Sequence, residues 1–259
     1  MPRDERRSWE LRRMPEGGSL LPSLHVLPPS PRSGRDAATP RARPAHPDHA
    51  RLYNCAMTGG QPEWTIREDA AIPVLVALYL RQVCGIRDPE ELPALRRVPG
   101  YDGIPRSEDE QALLEREWRE LWAMSVEPLA HPSPVPLELV EGFEDVLALP
   151  VGRAEALRAV VEPHAAAALE VARHAHARYR SDSAARPGVS YRAYASAIAE
   201  HERRVGRRAH SFELNVQVLP LAQRGVWWIG SLTVAVTDGL RSDVVAFDTA
   251  IHPIIAELA

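Results

Sequence analysis

Three short stretches of the chain carry side chains of the right types for chemistry. Residues 199–205 read Ala-Glu-His-Glu-Arg-Arg-Val, the opening of a His-Glu-x-x-His zinc helix, in which two histidines one turn apart hold the metal and the glutamate acts as general base. Val205 stands where the second histidine is required, so the motif fails. His174 and His176 are two apart in a helical pattern and point to different faces, whereas metal pairs on a helix need a spacing of three or four; His176 fits a hydrogen-bonded core histidine better than a ligand. Asp248 and His252, four apart, form the one acid–histidine pair with matching geometry. A carboxylate there can orient an imidazole for proton transfer, but no nucleophile stands at a predictable position, and a surface ion pair is the simpler reading. Cys-x-x-Cys, Gly-x-Gly-x-x-Gly and Gly-x-Ser-x-Gly do not occur. The sequence therefore predicts no catalytic residue, no metal and no cofactor, and leans away from an enzyme.

Composition closes further classes. All 31 residues counted as Lys or Arg are arginine, which removes Schiff-base lysines, pyridoxal-phosphate attachment, the Walker A lysine and the kinase strand lysine. Lysine-free usage with two asparagines, Asn54 and Asn215, points to GC-rich coding, and a bacterial source is expected.

The binding candidates lie late in the chain. Residues 211–219 alternate, with Phe212, Leu214, Val216 and Val218 expected inward and Glu213, Asn215 and Gln217 outward, the pattern of a half-buried antiparallel strand. Residues 226–237 read as its hairpin partner, whose Trp227, Ile229, Ser231 and Thr233 share the polar face, and Arg224 stands in the connecting loop. A polar strip of Glu213, Asn215 and Gln217 flanked by Arg224 and Trp227 can grip a small ligand or a peptide strand; an ordinary solvated sheet face is the competing reading. Charge is also segregated. Residues 107–145 hold eleven acids and two arginines, whereas residues 173–208 hold nine arginines and three acids. Arg203, Arg204, Arg207 and Arg208 are the densest basic cluster and could contact an anion or an acidic partner, although the two regions are expected to face one another and neutralise.

The elements that must position these residues are mostly helical. Thr65-Ile66-Arg67-Glu68 has the form of a capping box, leading into an apolar helix from about Asp69 to Gly85. Residues 86–106, rich in Pro and Gly, form an ordered-looking loop long enough to suggest function. Ser107 and Glu110 make the strongest helix start, followed by a stripe of Leu114, Trp118 and Leu121 with Leu113 and Trp122 beside it, and the tryptophans are expected to be core. Short helices are expected over 138–149 and 153–161, a longer one over 163–179, a turn over 181–188, and a helix capped by Ser190 and stopped by Gly206. Asp238-Gly239 reads as a turn, and Ser242 as the cap of a last helix carrying Val244, Phe247, Ile251, Ile254 and Leu258. A two-stranded hairpin alone is marginal, so it must pack on helices or pair with a further strand.

The fold expected is α+β: one predominantly helical domain over residues 60–259, with a C-terminal antiparallel β-hairpin and a final helix. Residues 1–59 are expected to be a disordered Arg/Pro-rich segment, since residues 1–57 contain nine of the 24 prolines and ten arginines against six acids; translation starting near Met57 is an alternative account of it. Cys55 and Cys84 imply no disulfide framework, and no apolar run approaches the roughly 20 residues that span a bilayer. Residues 58–259 carry 21 arginines against 29 acids, which argues against nucleic acid and anionic membranes. The function expected is that of a cytoplasmic, non-catalytic interaction or accessory protein binding a protein partner or itself. The alternative is a small-molecule-binding protein or hydrolase-like enzyme with a pocket between hairpin and helices.

Overall fold

The structure, a computed structural model, describes residues 51–54 (backbone only), 63–103 and 105–259. The segment expected to be disordered, Met57 included, lies outside the described residues except for 51–54. Those four residues form strand β1 (Arg51–Asn54), paired antiparallel with β2 (Trp64–Asp69).

β2 replaces the expected capping box. Residues 64–69 alternate along a strand, with Ile66 and Glu68 turned into the core. Pairing continues in parallel to β5 (Phe212–Leu219) and from β5 in parallel to β7 (Thr233–Thr237), while β6 (Val226–Trp228) closes the far edge antiparallel to β7. Among the described residues the sheet is five-stranded in the order β1-β2-β5-β7-β6. The expected C-terminal hairpin is thus corrected. Residues 226–237 are two strands that form a hairpin with each other, and β7 lies beside β5 in the parallel sense. The break follows from Gly230: a Cβ there would lie 2.5 Å from Oε1 of Glu127, whose carboxylate accepts hydrogen bonds from the Ser231 and Leu232 amides and the Thr233 hydroxyl at 2.8–3.0 Å.

Helices cover both faces. On one face lie α1 (Ile72–Val83), α2 (Glu108–Val126), α3 (Glu155–Val161) and α4 (Ala165–Ala185), which share a core with Leu219, Trp227 and Ala235. On the other, α5 (Val189–Val205) and α7 (Val244–Leu258) pack Tyr194, Ile198, Phe247 and Ile251 against Ile66, Leu214, Val216, Val234 and Val236. A single short helix, α6 (Asp238–Arg241), follows β7. The mixed α and β composition is as expected, but the sheet is central and its inner strands are parallel, which requires helices on both faces.

Local signals act where they are self-contained. Ser107 and Glu110 form a reciprocal capping box, and Trp118 and Trp122 stack at 5.4 Å inside the core. Elsewhere the structure differs. Residues 138–149 are no helix; they lie within a two-stranded ribbon, β3 (Leu137–Leu139) and β4 (Ala148–Pro150). α4 runs through the expected turn to Ala185, and Asp243, rather than Ser242, caps α7. Ser190 is buried inside α5, which begins after Gly188 at φ 79°. Among the described residues the segregated charges meet at one ion pair, Arg173 with Glu144; the Arg203 to Arg208 cluster ends α5, on the opposite side of the sheet from acidic α2.

Candidate functional site

In open sheets with parallel strands, ligands bind in the crevice beyond the carboxyl ends of the strands. Here β2, β5 and β7 end together at Asp69, Leu219 and Thr237. A cleft of 850 Å³ lies beside the end of β5, between residues 95–98, one face of α4 and the loop after β5.

Its first wall is held by the last turn of α1. The buried Arg81 guanidinium donates to the carbonyls of Leu92 (2.8 Å), Arg87 (3.1 Å) and Pro89. The Gln82 amide donates to Val98 O at 2.6 Å and accepts from Leu95 N at 2.9 Å. Leu95 bridges to Leu221, with Arg96 N donating to Pro220 O and Ala222 N to Ala94 O, both at 2.8 Å. A loop so fixed is a preorganised platform. It holds Arg97 at φ 62°, a left-handed conformation that costs a non-glycine residue about 1–3 kcal/mol and that clusters at functional sites.

The facing wall is α4, where Glu170, Val171, His174 and Arg178 recur at helical spacing on the cleft side. Leu95, Val98, Pro220 and Ala222 supply an apolar floor. The cleft is lined by Arg96, Arg97 and Arg178 against Glu170. Arg96 and Arg178 share Asp238 Oδ2, at 2.5 and 3.2 Å, and the other oxygen of Asp238 accepts from Gly239 N at 2.7 Å. Arg97 is exposed and engaged by no carboxylate among the described residues. The cleft is therefore cationic, with one guanidinium unused.

Beneath it lies a buried polar cluster. Glu68, 1% exposed, accepts from the Tyr194 hydroxyl at 2.7 Å and from Arg241 at 3.1 Å, and Arg241 also donates to Ser183 Oγ at 3.3 Å. Burial, reinforced by the Glu68 carboxylate, pushes the Tyr194 and Tyr179 hydroxyls well above the usual phenol range, so both remain protonated donors. At the end of β2, His176 Nδ1 lies 2.9 Å from the Ala70 carbonyl and 3.8 Å from Asp69.

The residues singled out from sequence do not converge. Glu213 is exposed and ion-paired with Arg67 at 2.8 Å. Asn215 is half-buried, and Gln217 is buried with its amide oxygen accepting from Ala71 N at 2.9 Å at the start of α1. Trp227 shares the Gln217 face, as its register requires, but that face is roofed by helices and Trp227 is 1% exposed. Arg224 pairs with Asp243 at 2.6 Å. Arg203, Arg207 and Arg208 are exposed around a shallow depression, with Arg208 3.6 Å from Glu202 and Arg207 2.5 Å from His210, while Arg204, also exposed, lies 3.4 Å from His201 Nδ1 outside it. His252 lies 3.2 Å from Glu200 and 3.7 Å from Asp248. Among the described residues, no group of three or more His, Cys, Asp or Glu side chains is placed to hold a metal, and no helix is long and apolar enough to cross a membrane.

Sequence reasoning missed Arg96, Arg97 and Arg178. Two signals pointed toward the first two, the length of the 86–106 loop and the adjacent arginines before Val98-Pro99, and none toward Arg178. The chain matches no protein-family model, no curated protein and no solved structure.

Proposed function

We propose that this chain is a small-molecule-binding protein that takes an anionic ligand in the cleft beside the carboxyl end of β5. Arg97 carries the reading. A strained, solvent-facing guanidinium with no carboxylate partner, on a loop fixed by Arg81 and Gln82, is what an anion site presents before it is filled. Arg96 and Arg178 stand beside it with only Asp238 between them. Thermal-shift measurements with anionic, neutral and cationic metabolites test it. A ligand at 100 times its Kd adds about 2.7 kcal/mol, or roughly 5–11 °C for a protein of this size. Anions alone should produce the shift, and Arg97→Ala and Arg178→Ala should each remove it. Shifts from neutral compounds only, or anion shifts that persist in both variants, would overturn the proposal.

A second reading, a non-catalytic protein that binds a partner or itself, is supported by β3. Leu137 and Leu139 are 50% and 57% exposed on one face of this short strand, and Val151, exposed, hydrogen-bonds beside it to Pro136 O. Light scattering tests it: self-association that disappears in Leu137→Asp/Leu139→Asp supports this reading, and a concentration-independent monomer rules out self-binding.

A further inference from the structure

Two surfaces of opposite charge lie on opposite sides of the sheet. Residues 137–150, the β3–β4 ribbon, hold four acids, Glu138, Glu141, Glu144 and Asp145, and no basic residue, whereas residues 203–208 read Arg-Arg-Val-Gly-Arg-Arg. The ribbon packs Val140, Phe143, Leu147 and Leu149 into the core on the side of α1 to α4, while α5, which leads into the arginines, belongs to the core on the other side. We infer that the acidic ribbon of one molecule docks on the arginine-rimmed depression of a second copy. The inference rests on the self-binding reading above and names the surface that receives β3.

The receiving surface is cationic and weakly neutralised. Among the described residues Arg203, Arg204 and Arg207 are engaged by no carboxylate, and Arg208 has Glu202 alone, at 3.6 Å. Ala199 and Gly206 line the depression between Arg203, Arg207 and Arg208, and Val205, 42% exposed, adds an apolar contact beside it. Exposed guanidiniums are each worth little to a lone small anion in water. A partner surface that covers several at once shields them from solvent and adds apolar contact, which is the setting in which arginine is enriched at interfaces.

The ribbon matches this surface in sign and in apolar content. Glu141 and Asp145 stand exposed in the turn between β3 and β4, with no ion pair among the described residues. Glu138 and Glu144 pair with Arg158 and Arg173, yet their side chains remain 65% and 57% exposed and can be shared. Leu137 and Leu139 supply the apolar face. Charge selects the occupant: residues 58–259 carry an excess of acids that repels nucleic acid, whereas a second copy brings a ribbon of four carboxylates to four guanidiniums. Because the two surfaces lie on opposite sides of the sheet, the contact is head-to-tail, and each molecule keeps one surface for a third.

Sedimentation velocity of the full chain over a concentration series, in 0.1 M and 1 M sodium chloride, tests this. The chain should associate beyond a dimer in low salt, and at least tenfold less tightly in high salt, where the screening length falls from about 10 Å to about 3 Å. Arg203→Ala/Arg207→Ala and Glu141→Ala/Asp145→Ala, all at exposed positions, should each weaken association at least tenfold. Mixed together they should form a 1:1 dimer that grows no further, since the first keeps the ribbon and the second keeps the arginines. If association is lost in Leu137→Asp/Leu139→Asp but unchanged in both charge variants, the ribbon binds elsewhere: this inference falls and the self-binding reading survives. A chain that stays monomeric at every concentration ends both. Salt-sensitive binding of poly-glutamate or single-stranded RNA to such a monomer, lost in Arg203→Ala/Arg207→Ala, would give the arginines to a different acidic protein or to nucleic acid instead.

Discussion

Arg241→Met isolates the ion pair beneath the cleft. Methionine preserves much of the apolar stem but removes the guanidinium, leaving Glu68 in the core with the Tyr194 hydroxyl at 2.7 Å as its remaining donor. Breaking a buried pair from one side costs about 3–5 kcal/mol, because the other charge stays desolvated. The surviving Tyr194 bond places the expected loss near the lower end of that range. Against a typical total stability of roughly 5–15 kcal/mol, and at about 2–4 °C per kcal/mol for chains of this size, the melting temperature should fall by roughly 6–12 °C. Glu68→Gln/Arg241→Met keeps an acceptor for Tyr194 and removes the stranded charge, so it should be more stable than Arg241→Met alone. Urea unfolding followed by tryptophan fluorescence, run as a double-mutant cycle, measures the coupling. An Arg241→Met loss below about 1 kcal/mol, or strictly additive single-variant effects, would refute the argument that this pair is buried and mutually compensated.

Three further outcomes follow from other contacts. Burial pushes the Cys84 thiol up to about 11 from an ordinary value of 9.0. In a Cys55→Ser background Cys84 should therefore resist iodoacetamide at pH 8 until the protein unfolds, and alkylation at the rate of a free thiol would contradict it. Because the folded value is the higher, the associated stability is present below about pH 9 and lost as pH rises toward 11; it amounts to roughly 3 kcal/mol. Glu127→Ala removes the acceptor for Ser231 N, Leu232 N and Thr233 Oγ1, and should cost about 2–4 kcal/mol in urea titration and open the turn between β6 and β7 to proteolysis; a protease-resistant turn would show that another group holds it. Gln82→Leu keeps the apolar shape of α1 but frees Leu95 N and Val98 O, so it should cost about 1–3 kcal/mol and weaken anion binding in the cleft more than Arg116→Ala, at an exposed position of α2, does.

What could be read from the sequence depended on whether the deciding interaction was local. The Ser107–Glu110 capping box lies within four residues, and the start of α2 and its tryptophan stripe follow from it directly. Residues 212–218 alternate as a strand whatever covers them. β2 was obscured by its own buried charge. With Glu68 counted as polar, Thr65-Ile66-Arg67-Glu68 resembles a helix cap, whereas Glu68 faces the core because Arg241 and Tyr194, more than 120 residues away, satisfy it. β7 failed as a separate strand for the opposite reason. Thr233 to Thr237 is buried on both faces, so it shows no alternation to distinguish it from β6.

The same distinction explains the site. Parity correctly puts Trp227 on the face of Gln217, but whether that face meets water depends on α1 and its neighbours packing there, and no residue in either strand encodes it. The cleft joins residues 95–98, 170–178 and 220–222, segments brought together by the Leu95–Leu221 bridge and by Asp238, which follows β7 and pairs with both Arg96 and Arg178. The arginine cluster visible in the sequence, at residues 203–208, ends a helix in open solvent, whereas the Arg96-Arg97 pair and Arg178, from two distant segments, line the facing walls of one cleft. For anion recognition, convergence around one concavity matters more than density along a helix, because a ligand held there meets guanidiniums from both walls at once, whereas exposed charges acting singly are screened by water. The left-handed backbone at Arg97 falls between the residues that Gln82 and the Leu95–Leu221 bridge fix, a long-range setting that no signal in residues 95–98 themselves could reveal.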